Sequence, residues 1–309
     1  MPADRGSRRI GRALAALAAL GALGVLACEN LPASSPPGTL PAFVYVSGTP
    51  GYADLVRFRN DSTVQLTSGS RNTDPNSAAG RLVFTSDRDA GYPQVYIADL
   101  DVTTVHRVMS TPAFDRTPSL SPTADSIVFV TTRAGGTPHI WVIAAPALNA
   151  VGYGSAAALA TGDSAYTPED APAWSPAGGK IAFTSVSSGT SQVYVVPSGG
   201  GTAVAITQES GGAFEPAWSG DGSAVYYIAA VGGYALRRVS VQGGQATTVV
   251  ADSFRVAGPA SCNASYCLYS TLFNSDSGAM SALRVSDNTI QTIFARTAAM
   301  ERQPAILVP

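Results

Sequence analysis

"APAWSPAGGKIAFTS" (Ala171–Ser185) is answered 44 residues further on by "PAWSGDGSAVYYIA" (Pro216–Ala229). Both read proline, alanine, tryptophan and serine, then a glycine-containing turn, then an apolar and aromatic run. A chain that writes one unit twice calls for a search at that period. Aligned on the apolar run, the unit starts at Phe43, Leu82, Ile127, Ile181, Val225 and Leu268, at spacings of 39, 45, 54, 44 and 43 residues. Six units of about 44 residues match the length of a four-stranded propeller blade.

Each unit has the internal grammar of a blade. In Pro172–Thr207, "PAWS" reads as a short first strand, "KIAFTS" as a second, "QVYVVP" as a third and "AVAIT" as a fourth. Gly, Ser and Pro separate them, and β-branched and aromatic residues fill them. The 309 residues include 31 Gly and 21 Pro, and only 13% are charged, which suits many short strands and turns. Beyond the N-terminal segment no stretch sustains a 3.6-residue period. The fold class is therefore all-β, a six-bladed β-propeller with four-stranded antiparallel blades.

The first unit, at Phe43, has no "PAWS" strand ahead of it, whereas "RQPAILVP" (Arg302–Pro309) is such a strand with no unit behind it. Joining the two closes the ring, with the C-terminal strand innermost in the first blade. An open ring would leave apolar blade faces and unpaired strand edges in water.

The pattern P-x-W-S-P-x-G-x-x-I-x-F-x-S followed by "QVYV" resembles the TolB-like, or WD40-like (PD40), six-bladed propellers; "RLVFTSDRDAGYPQVYIADLD" (Arg81–Asp101) is the closest single stretch. The resemblance covers residues 41–309. Trp174 and Trp218 keep the tryptophan, while Leu120, Ser261 and Ile306 replace it, and the first strand of the second blade is degenerate. The 54-residue interval holds an insertion, residues 145–162, expected to lengthen the link between the third and fourth strands of its blade or to form a flap. This fold hosts scaffolds, binders and protease accessory domains, so the resemblance alone does not assign a function.

The N-terminus has another grammar. Arg5, Arg8, Arg9 and Arg12 precede an uncharged run, Ala13–Ala27. Fifteen residues are short for a membrane-spanning helix, which needs about 20. A basic start and a short apolar core make a secretory signal peptide over residues 1–27. Its end, "VLAC", resembles the lipobox of bacterial lipoproteins, in which the cysteine is diacylated after cleavage; here that is Cys28. Ordinary cleavage near Ala27, giving a secreted protein, is the alternative. Glu29, rather than aspartate, after the cysteine favours the outer membrane. Residues 28–40, rich in Pro and Ser, read as a tether.

Removal of residues 1–27 leaves 15 basic and 20 acidic residues, a net charge near −5 that argues against nucleic acid as a partner. Beyond Cys28, Cys262 and Cys267 form an even pair suited to an oxidising compartment. By internal alignment they replace Ser175 and Lys180, which face each other across a hairpin, so a structural disulfide is expected. A redox or metal pair would call for Cys-x-x-Cys or nearby histidines. His106 and His139 stand alone, with no metal-ligand spacing around them. No G-x-S-x-G occurs, so no catalytic residue, metal or cofactor is assigned. Trp174 and Trp218 are expected to pack between blades, and Phe84, Phe129, Phe183 and Tyr227, in one register, to be blade core.

The resemblance implies that the segment just before "PAWS" lies near one mouth of a central channel. Those segments hold Asp74, Asp115, Arg116, Glu169, Asp170, Glu215, Glu301 and Arg302. Together they suggest an acidic rim that attracts a cation or basic peptide segment, with Arg88 and Arg133 balancing it. The alternative for these residues is a solvated loop role. The function expected is a non-enzymatic, lipid-anchored, monomeric envelope scaffold for a protein segment or small ligand. The competing reading is a metal-dependent propeller hydrolase, lactonase- or lyase-like, with its site at the channel mouth.

Overall fold

In a computed structural model, residues 39–49, 51–110, 112–162, 167–251, 255–274, 277–295 and 302–308 are described. The described residues form 24 strands and no helix. They make six four-stranded sheets, the blades of a closed propeller. The strands of blade 1 are ordered β24-β1-β2-β3: β24 is Arg302–Ile306, β1 Phe43–Thr49, β2 Tyr52–Arg59 and β3 Ser62–Gln65. Blades 2 to 6 each take four consecutive strands, with innermost strands β4 (Asn72–Ala78), β8 (Asp115–Leu120), β12 (Glu169–Trp174), β16 (Ala213–Trp218) and β20 (Val256–Cys262).

The second strand of each blade is buried on both faces, which explains its unbroken apolar spelling. In β5 (Arg81–Ser86), Leu82 and Phe84 pack toward blade 1, while Val83 packs toward blade 3. One apolar cluster fills each of the six blade interfaces. Phe84, Phe129, Phe183 and Tyr227 each point at the preceding blade and are buried. Trp174 and Trp218 pack at the 3–4 and 4–5 interfaces, and the Trp218 indole N–H donates to the Ala173 carbonyl of the preceding blade at 2.9 Å.

The terminal strand closes the ring as the sequence predicts. Phe43 pairs with Ile306 and Val44 with Ala305, and the Leu307 N–H donates to the Ala42 carbonyl at 2.8 Å. Side-chain hydroxyls tie this strand to both neighbours. Ser261 accepts from the Ile306 N–H and Ser77 from the Val308 N–H, each at 2.9 Å.

The insertion does lie between third and fourth strands, joining β10 (His139–Ala144) to β11 (Ala157–Ala158). It folds back over blades 2 and 3, where Ala145, Leu148 and Ala156 cover the apolar cluster. Cys262 and Cys267 are opposed partners across the hairpin of β20 and β21 (Tyr266–Asn274) and are joined by a disulfide. Residues 1–38, with the signal peptide and Cys28, lie outside the described residues.

Candidate functional site

Proline stands at one register of every innermost strand: Pro75, Pro118, Pro172, Pro216, Pro259 and Pro304. The residue before each has positive φ: Asp74 (54°), Thr117 (48°), Ala171 (47°), Glu215 (52°), Gly258 (75°) and Gln303 (51°). Pairing with the neighbouring strand shifts register at each of these points. Proline has no N–H to give the ladder, so the strand bulges there and re-aims its side chains. Six bulges, one per blade, form a ring around the channel.

The channel widens on both sides of this neck. A chamber of about 400 Å³ runs along the later halves of the inner strands. A larger one, about 970 Å³, opens at their beginnings. Asp74, Thr117, Ala171, Glu215 and Gln303 line both.

The sequence-derived rim separates into two groups. Asp74, Arg116, Asp170, Glu215 and Arg302 do line the larger chamber. Asp115 and Glu169 do not, because each stands one place earlier on a strand, and side chains alternate between faces. Both are buried inside the blades. Asp115 accepts from Arg133 Nη2 at 2.7 Å, and burial raises its pKa against the opposing pull of Thr131 and Arg133. Glu169 Oε2 accepts from the Ile140 N–H at 3.0 Å, its Oε1 accepts from the Thr161 hydroxyl, and its carboxylate lies 3.4 Å from His139 Nδ1. Glu301 lies outside the described residues. Arg88 and Arg133 also turn inward: Arg88 lies over Phe84 and Tyr96, Arg133 over Phe129 and Trp141. Asp74, Asp115, Glu169, Asp170 and Glu215 sit on the inner strands β4, β8, β12 and β16.

The mouth is not the acidic field expected. Arg71, Arg116, Arg255 and Arg302 face the same chamber as Asp74, Asp170 and Glu215. Sequence reasoning missed Arg71, Arg255, Gln303 and the half-exposed Tyr234, which also line it. The x-Pro recurrence was the available signal for Gln303, and Arg71 and Arg255 also share a register, four residues before Pro75 and Pro259; Tyr234 carries no repeat signature.

Arg116 Nη1 donates to both Asp170 oxygens, at 2.9 and 2.8 Å. Asp74 accepts from Gln303 Nε2 at 2.6 Å and from the Thr73 hydroxyl at 3.0 Å. Glu215 differs: its Oε2 is sealed and accepts no hydrogen bond. Burial first, then the nearby Asp74 and Asp170 carboxylates, push its pKa up to about 7. Arg302 Nε is likewise sealed with no partner, and burial lowers the guanidinium pKa, with Arg71 adding to the effect and Asp74 opposing it. Among the described residues, no three His, Cys, Asp or Glu side chains are grouped to hold a metal ion.

These features define a closed six-bladed propeller with a polar chamber above a proline-kinked neck. No protein-family model and no curated protein sequence matches the chain. Solved structures do. TolB from Acinetobacter baumannii superposes with a TM-score of 0.71 at 18% identity, over 88% of this chain and 68% of that one. A putative TolB from Agrobacterium tumefaciens gives 0.65 at 13% identity, over 88% and 94%. A puromycin-hydrolysing peptidase from Mycobacterium tuberculosis gives 0.59 at 13% identity, over 82% and 44%. The chain has the TolB-like propeller fold. Since that fold also occurs in a puromycin-hydrolysing peptidase, it does not choose an activity.

Proposed function

We propose that this protein is a non-catalytic, lipid-anchored propeller of the bacterial cell envelope that holds a protein or peptide segment at the wide mouth of its channel. In this reading residues 1–27 are removed, Cys28 carries the lipid, residues 28–40 are the tether and residues 41–309 the propeller. The "VLAC" stretch supports the anchor, and Glu29 supports the outer membrane. Several acyl chains on one cysteine anchor firmly, since each buried methylene contributes about 0.8 kcal/mol. The likeness to TolB structures supports an envelope protein-binding role.

The observation that carries the binding role is the chamber of about 970 Å³, into which opposite charges project from several blades. Pockets of this size, with a few converging polar groups, suit a ligand or chain segment. The hydrolase reading needs clustered metal ligands, and the two neck carboxylates stand on blades 2 and 5, opposite each other in a six-blade ring.

A photo-crosslinking residue at Tyr234, 52% exposed on the chamber rim, tests the proposal in intact cells against one at Val64, 46% exposed on the outer edge. A discrete envelope-protein adduct from position 234 alone, mapped by mass spectrometry, is the expected result. No adduct, or equal labelling from both positions, refutes it.

A further inference from the structure

Asp74 and Glu215 share the neck but are provided for differently. Asp74 stands between Gln303 and Thr117 in the ring of bulges, and Gln303 donates to it at 2.6 Å. Glu215 stands between Ala171 and Gly258, whose side chains offer no donor. Its Oε2 is sealed from bulk solvent, lacks a partner and belongs to a residue that lines both chambers. Leaving a buried acceptor unmatched costs about 1–3 kcal/mol. Such a group calls for an explanation, and a donor brought by a ligand supplies one.

We propose that the neck receives the primary ammonium of a slim ligand, the free amino terminus of a peptide, with Glu215 as its carboxylate partner. This deepens the reading of the mouth as a peptide-holding surface and rests on it.

Three observations select an ammonium. The orphan group accepts and a second carboxylate, Asp74, stands across the ring, so the missing partner is a cation. Ala171 and Gly258 flank Glu215 without bulk, and an ammonium is a compact charge with three donors, unlike a broad guanidinium. Arg71, Arg255 and Arg302 line the wider chamber above, so a ligand with many positive charges is repelled before it reaches the neck. A single leading amine on an otherwise uncharged chain meets all three conditions.

The charged groups facing Glu215 across the mouth are Arg71 before β4, Asp74 on β4, Arg116 on β8, Asp170 on β12, Arg255 before β20, and Arg302 on β24. Arg116 is occupied by Asp170. The Glu215 carboxyl titrates near neutrality. Binding of an ammonium ion to its neutral form therefore releases the carboxyl proton to buffer, and no covalent bond to the ligand is made or broken.

The test is calorimetric titration of the full chain in detergent near pH 7, with triglycine and with N-acetyl-triglycine, in two buffers of different ionisation heat. Triglycine is expected to bind at least about tenfold more tightly, a difference of about 1.4 kcal/mol, with proton release. Glu215→Gln is expected to abolish both the preference and the release. Ala171→Asn, a residue tolerated at positive φ, offers Glu215 an internal donor and is expected to weaken triglycine binding; it carries the test if Glu215→Gln fails to fold. Equal binding of the two peptides, binding of neither, or a preference that survives the variants overturns the proposal. If the Tyr234 adduct forms while the peptides are not distinguished, the mouth holds its segment without an amino terminus at Glu215, and this inference alone falls.

Discussion

Phe43 and Ile306 stand directly opposite each other on the β1–β24 pair. One opens the first described strand and the other ends the last. Both are buried in one cluster with Leu268 and Met280 of blade 6, so the seam is held by side-chain packing as well as by the ladder.

Ile306→Ala is therefore expected to lower stability by about 2–5 kcal/mol, the range for emptying a packed aliphatic site. Val308→Ala, at a site 45% exposed, should change it by no more than about 0.5 kcal/mol. Thermal melts of the two variants check this, and equal melting temperatures would mean the seam is not closed.

Glu215 should make stability depend on pH. Its folded pKa of about 7 lies above the ordinary 4.5. Folding then favours the protonated form, so the stabilising contribution is complete below pH 4.5 and is lost as pH rises through 7. Glu215→Gln should match the wild type at pH 4 and exceed it at pH 8, by at most about 3 kcal/mol. Denaturant midpoints at the two pH values measure the difference.

Asp115 depends on Arg133. Removing the guanidinium by Arg133→Ala leaves the buried carboxylate with only Thr131 and the more distant charge of Arg107 to favour it, and should cost about 3 kcal/mol near neutral pH. Adding Asp115→Asn should recover part of that loss, because the charge goes with it. Urea denaturation of the single and double variants is the check; additive losses would count against the pairing.

The bridge between Cys262 and Cys267 closes a short loop, so replacing both cysteines by serine should cost about 2 kcal/mol. Alkylation without reductant should label neither cysteine in the folded protein; labelling of both would show that the bridge is absent.

Cys28→Ser should move the protein from the membrane fraction to the soluble one and remove an acyl mass increment from its N-terminal peptide. Unchanged fractionation would refute the anchor.

The ring was legible because a repeat says the same thing six times, and because a missing strand at one end matched a spare strand at the other. The degenerate "TDPNS" stretch still forms β4, since Pro75 keeps the kinked register of its five counterparts. The rim was only partly legible. A stretch of acids before "PAWS" reads as a single group, yet alternation sends Asp115 and Glu169 into the blades and Asp170 into the chamber. Parity along a bulged strand depends on where the bulge falls, and the proline that marks it recurs in every unit. Arg71 and Arg255 reach the mouth from one register, four residues before the neck proline, but the other units fill that register with Phe114, Pro168, Gly212 and Met300, so no run of charge marks it.

The prolines at the neck also bear on solubility. The free edge of each innermost strand faces the channel, where a stray extended chain has the geometry to zip on as a further strand. At all six positions an amide hydrogen is missing and the backbone turns left-handed, so the hydrogen-bond ladder such an intruder needs is broken midway. A polypeptide entering the hole is thus met by side chains, and recognition there depends on what its tip carries, with little scope for templated sheet growth.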